Sequence, residues 1–101
     1  MNLKNKTAEL LYNQMLIANE IEVSKTTLSI LNLIQTLKVH NQLLGLACAI
    51  ICLLEAYGLN HSDLLGIAHN IVHQQTDNNA HKNFKAVKQF MKSEWDIALN
   101  G

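Results

Sequence analysis

The chain has 101 residues; eight lysines balance eight acidic residues, and there is no arginine and no proline. Charged residues make up 16% of it and hydrophobic residues 49%, where an ordinary soluble domain is about 25% charged. That balance excludes a disordered tail, a strongly basic coat protein and a collagen-like repeat, and the length predicts a single helical domain over residues 1–101. So few charges leave a lone copy short of polar cover, which predicts self-association through apolar surface.

The opening Met1-Asn2-Leu3-Lys4-Asn5-Lys6 is basic but runs into polar and acidic residues rather than an apolar stretch, so no secretory signal is expected. A first helix is expected over about residues 7–22, with Leu10, Leu11, Met15, Ile17, Ala18 and Ile21 on one face. Ser24 to Thr27 reads as a break whose hydroxyls cap the next helix. That second helix covers about 26–39. Ile30, Leu33, Ile34 and Leu37 make its stripe, and Leu28 and Leu31 fall off it. His40-Asn41-Gln42 is a weak break, so the second and third helices are read as separate.

The third helix, about 42–57, is apolar nearly all round, which predicts the buried central element of the fold. Cys48 and Cys52 stand i, i+4 within it, facing the same way but too far apart for easy bridging. They read as small buried thiols of a reducing compartment. The uninterrupted apolar run, Leu43 to Leu54, spans roughly 18 Å as a helix, against ~30 Å of bilayer hydrocarbon. No membrane partner is therefore expected, and the location expected is cytoplasmic. Gly58 is a left-handed helix stop, with Leu59 packing back over the turn. Asn60 or Ser62 caps a fourth helix, about 61–75, and Asp63 sits near its positive end. Leu64, Leu65, Ile67, Ala68, Ile71 and Val72 are its expected buried face. Gln75 to Asn79 is a polar connection and the expected mobile loop. The last helix, about 80–99, is amphipathic: Phe84, Val87, Met91, Trp95 and Ala98 form the core stripe, widened by Phe90 and Ile97. The expected fold class is all-α, a compact bundle of four to five helices around a buried central helix at about 42–57.

Three constellations bear on function. Residues 53–69 have the outline of a helix-turn-helix, with Leu53, Tyr57, Leu59, Leu64 and Ile67 as inner anchors. The chemistry weighs against DNA. The would-be recognition helix has no lysine and carries Asp63 at its leading end, whereas phosphate attraction supplies most non-specific affinity. In that alternative Asn70, Gln74 and Gln75 read base edges, His73 belongs to the same surface, and Lys82, Lys85, Lys88 and Lys92 add backbone contacts. The second constellation is His69 and His73, spaced to share one metal. They have the spacing of the zinc-protease helix motif, but Asn70 stands where the general-base glutamate would be. No cofactor and no metal are assigned on that basis; the two histidines remain weak candidates.

The third constellation is charge. Residues 39–77 carry three acids and no lysine, while Lys82, Lys85, Lys88 and Lys92 make the last helix basic up to Ser93. Lys82, Lys85 and Lys92 cluster opposite the aromatic stripe, as a solvated face or as a surface for an acidic partner. With Trp95, a residue type enriched at interface hot spots, they are the candidate partner-binding set. No phosphate loop, nucleophile elbow or plausible triad is present: His61, Ser62 and Asp63 diverge by about 100° each on a helix. The expectation is no enzyme but a non-catalytic protein-interaction module that self-associates. The alternative is the helix-turn-helix regulator. Twelve asparagines, eight lysines and no arginine are what AT-rich coding tends to produce, which suits a small bacterial or bacteriophage accessory protein.

Overall fold

A computed structural model describes residues 3–73 and 77–101, the side chains of residues 3–5 excepted. It is all-α, with five helices among the described residues: α1 Leu3–Leu16, α2 Glu20–Ile34, α3 Val39–Tyr57, α4 His61–His73 and α5 Asn78–Asn100. The polar connection expected after α4 falls partly on residues 74–76, which lie outside the described residues, as does Gln74.

The first break is set by Asn19, not by the hydroxyl cluster at 24–27. Asn19 Oδ1 accepts the Glu22 amide at 3.1 Å, satisfying one of the donors a helix start leaves open. Glu20 and Glu22 then fill the first turn of α2, where negative charge is favoured. The hydroxyls expected to cap are absorbed inside the helix. Ser24, Thr26 and Thr27 donate to the carbonyls of Ile21, Glu22 and Val23 at 2.8–2.9 Å. A hydroxyl one turn after a helix carbonyl can share that acceptor with the backbone amide without breaking the helix.

The α2–α3 break is real and lies a few residues before His40. Leu37 N–H closes on Ile34 O at 2.9 Å, and Gln42 Nε2 donates to Leu37 O at 2.7 Å across the turn. Gln42 is buried, and its Oε1 has no hydrogen-bond partner. Gly58 ends α3 as expected, at φ 65° and ψ 32°, with its N–H and that of Leu59 both returning to Leu54 O. Asn60, not Ser62, caps α4: its Oδ1 accepts from Ser62 and Asp63 N–H at 2.8 and 3.2 Å. Asp77 caps α5 in the same way, accepting from Asn79 and Ala80 N–H.

The core lies between α2 and α5, which pack along each other. Leu31, Ala80, Phe84 and Val87 are its buried apolar residues. Ser24 and Asn83 lock the pair: Ser24 is completely buried, and its Oγ accepts Asn83 Nδ2 at 2.9 Å while donating to Ile21 O. A second tie runs from Asp77 N–H to Glu20 Oε2 at 3.4 Å. The buried edge of α2 is therefore Ser24 and Leu31 with Thr27, Leu28 and Ile34 half-buried, whereas Ile30, Leu33 and Leu37 of the expected stripe are exposed. A stripe of Ile30, Leu33 and Leu37 satisfies side-chain size alone. The face that α5 selects is the one on which a serine hydroxyl meets an asparagine amide.

The expected buried central helix is not buried. In α3 only Gln42 is buried, and 6% of its most apolar 18-residue window is buried. Leu44 is 60% exposed and Ile51 54%. Cys48 and Cys52, expected to be buried, are exposed thiols. The physical reason is supply: among the described helices the main neighbours of α3 are α1 and α5, which leave most of its residues exposed. The bundle is correspondingly drawn out, 54 × 30 × 20 Å with a radius of gyration of 15.3 Å, where a compact 100-residue domain has about 13 Å. α4 is also thinly covered: Leu64, Ile67, Ile71 and Val72 are half-buried, and Leu65 and Ala68 are exposed. In α1, Leu11 and Met15 turn inward while Leu10 is exposed, as is Ile17 just beyond the helix end. At the far end of α5, Ile97 and Ala98 leave the core.

Candidate interaction surfaces

The outward side of α3 is the largest unpartnered feature of the fold. At 100° per residue, Val39, Gln42, Leu46 and Leu54 share the side that meets α1 and α5, and they are buried or half-buried. Asn41, Leu44, Gly45, Cys48, Ile51, Cys52 and Glu55 share the opposite side, and all are exposed. A side chain added at Gly45 would meet no atom within 4 Å. Glu55 is the one ionisable carboxylate on this side, and no lysine lies in α3. At 19 residues α3 is also long and apolar enough to cross a membrane by length and composition, longer than the 12-residue apolar run alone.

Sequence reasoning misses this surface because a helix that is apolar all round has no stripe to show which side faces inward. One signal is present: Asn41, Cys48 and Glu55 recur every seven residues, which places the polar and soft residues of α3 on a single side.

A second feature joins α4 to α5. His73, His81, Lys85 and Lys88 line a cleft of about 160 Å³ whose floor is Val72 and Phe84. The fold thus brings His73 together with two of the lysines singled out in the sequence. The others are elsewhere on the exposed face. Lys92 Nζ is 2.8 Å from Asp96 Oδ2 in an exposed i, i+4 pair, and Lys82 lies outside the cleft lining. Trp95 is half-buried, so part of it is already covered within the chain. Asn70 is exposed and lines a separate cleft with Glu20.

The His69 and His73 rings lie against each other, centroids 4.3 Å apart and tilted by 46°. Among the described residues no three His, Cys, Asp or Glu side chains gather into a metal-binding group. The helix-turn-helix anchors are not gathered between α3 and α4. Leu53 and Tyr57 are exposed, and α4 rests on α1. An apolar cavity of about 230 Å³ lies where Met15 and Ala18 of the α1 end, Val23 and Thr27 of α2, and Ile67 and Ile71 of α4 come together above Phe84. Compared with protein-family models, curated proteins and solved structures, the chain matches none.

Proposed function

We propose that the chain is a non-catalytic interaction module that works as a homo-oligomer and binds another protein in that form. The observation that carries this reading is α3: a 19-residue apolar helix with 6% of its apolar window buried. Monomeric soluble proteins rarely expose a contiguous apolar surface of this extent, and where one occurs it marks an interaction site. The exposed basic face of α5, with Lys82, Lys85 and Lys92, is the docking surface for an acidic protein partner, with Trp95 as its apolar anchor. The composition supports a small cytoplasmic accessory or regulatory protein of a bacterium or bacteriophage.

Multi-angle light scattering across the micromolar range tests this reading. The expected mass is at least twice the 11.3 kDa of one chain. A mass of one chain at every concentration ends it.

A second reading rests on the α4–α5 cleft, which sets His73 beside Lys85 and Lys88. Those three, with Lys82 and Lys92, would then meet a nucleic-acid backbone. Binding of that kind weakens steeply with salt and is lost when the four α5 lysines are neutralised. Protein binding through apolar contacts shows a shallow salt dependence. A fluorescence titration with duplex DNA at two salt concentrations separates the two.

A further inference from the structure

We infer that two copies of the chain pair antiparallel through the outward side of α3, with Cys48 of one copy facing Cys48 of the other across a two-fold axis. This deepens the self-association reading above and rests on it.

The argument starts from the position of Cys48. It is the middle residue of α3, nine residues from Val39 and nine from Tyr57, and it lies at the centre of the exposed side. A two-fold interface is made of one patch meeting itself, so residues near the axis meet their own counterparts. An antiparallel pair centred on Cys48 brings each residue level with the one equally far beyond Cys48 on the second copy. Asn41 then comes level with the second copy's Glu55, twice over by symmetry. The amide of Asn41 is a donor for the only carboxylate on this side, and the two are the polar residues that bound the patch. Between them the two edges of the patch also match. Leu44 of one copy meets Ile51 of the second along one edge, large against large. Gly45 meets the second copy's Cys52 along the other, where small residues let the backbones approach.

A parallel pair lacks this match. It would set Glu55 against Glu55, two like charges taken out of water together, and Asn41 against Asn41. The patch is also better suited to a second copy than to lipid. His40, Asn41, Gln42 and Glu55 all lie within α3. A bilayer would have to desolvate Asn41 and Glu55 on the outward side, where a second copy hydrogen-bonds them. Cysteine supplies an independent pointer. It is among the residue types most often fully buried, yet both cysteines here are exposed on this one side. A second copy laid along α3 covers both.

The geometry makes the pairing testable by cross-linking. Packed helices lie about 8–10 Å apart and their Cα atoms sit about 2.3 Å from each axis. Two Cys48 Cα atoms facing each other are then roughly 4–5 Å apart, within reach of a disulfide. The two Cys52 residues lie four positions beyond the axis on opposite sides, so about 12 Å separates them along the helices, out of reach.

The experiment uses the full chain, first as variants at the two cysteines. In Cys52→Ser, Cys48 is the only thiol; in Cys48→Ser, Cys52 is. An added mild disulfide oxidant accepts two electrons as two thiols each lose a proton and form one S–S bond. The expected result is covalent dimer from Cys52→Ser at least tenfold faster than from Cys48→Ser. Equal rates, or a faster Cys52 form, overturn the antiparallel pairing. The third form, Cys48→Lys, places two ammonium groups at the axis. Because Cys48 is exposed, the helical circular dichroism of a dilute sample should be unchanged while the dimer dissociation constant rises at least 100-fold. A dimer that survives Cys48→Lys overturns this inference and leaves self-association by another face standing. A wild-type chain that is monomeric at all concentrations overturns both readings. A wild-type chain that is monomeric in water and moves quantitatively onto phosphatidylcholine vesicles assigns α3 to lipid and overturns both as well. A gain-of-affinity variant guards against loss through misfolding: Asn41→Lys sets a cation level with the second copy's Glu55. It should tighten the dimer several-fold at low salt, and no tightening removes the proposed register.

Discussion

The α2–α5 pair and α3 have opposite fates, although α3 is the richer in apolar residues. In α2 and α5 the apolar positions alternate with polar ones at helical spacing, and the two stripes bury Leu31, Ala80, Phe84 and Val87 against each other. Their contact is oriented by a polar pair, Ser24 Oγ and Asn83 Nδ2, at 2.9 Å. In α3 the apolar residues run round the helix, and most of them face solvent. The difference teaches that hydrophobic content does not decide burial. A stripe needs one partner, and this chain supplies one. A helix apolar on every side needs several, and among the described helices α3 packs mainly on two, α1 and α5.

That contrast can be broken most directly in the core. Phe84 is 5% exposed. Phe84→Ala removes an aromatic ring from a packed site and leaves a void, so unfolding free energy by urea titration should fall by about 3–4 kcal/mol. Leu44→Ala on the outward side of α3, measured at a concentration where the chain is monomeric, should change it by less than ~0.5 kcal/mol. Equal losses at the two positions would mean that α3 is packed within one chain, and the contrast would fail.

The polar lock sharpens the comparison at an intermediate level. Asn83→Ala deprives Ser24 Oγ of its donor inside a closed interface. The expected loss is about 1–2 kcal/mol, with the urea m-value unchanged. Restoration of stability in the double variant with Ser24→Ala would show that the cost is the hydroxyl oxygen left without its donor rather than lost packing. No loss in Asn83→Ala alone would mean that the pair does not orient α2 on α5.

The smallest effect belongs to the surface of α5. Lys92 and Asp96 form an exposed pair on one helix, a kind worth about 0.3–0.5 kcal/mol and screened by salt. Lys92→Ala should shift the thermal midpoint by a degree or two at low salt and not at all at 1 M. A shift that persists at high salt would point to contacts of the lysine stem instead of the charge.

Much of the local structure is legible in the sequence. Gly58 has to stop α3, since glycine takes a left-handed backbone at little cost, and the α4 cap is narrowed to Asn60 or Ser62, of which the structure takes Asn60. The all-α class, the separation of the second and third helices and the basic face of α5 are likewise readable. Ser24 is not, because its two possible uses, capping a helix or bonding back inside one, have the same sequence. Asn19, five residues earlier, settles the choice by taking the cap. In the candidate interface, Asn41, Cys48 and Glu55 repeat every seven residues, but their meaning depends on knowing which side of α3 is already occupied.

The sequence by itself therefore determined the helical class, the stop of α3 and the starts of α4 and α5, whereas the break expected at 24–27 lies at residues 17–19. Caps and turns are closed by hydrogen bonds among residues a few positions apart, so the local chain suffices to specify them. Only the tertiary structure decided which faces are covered: that α5 takes the Ser24–Leu31 side of α2, that α4 rests on α1, and that α3 keeps its outer side in solvent. Coverage depends on how many other elements arrive and from which direction. A helix without an apolar stripe carries no local record of that.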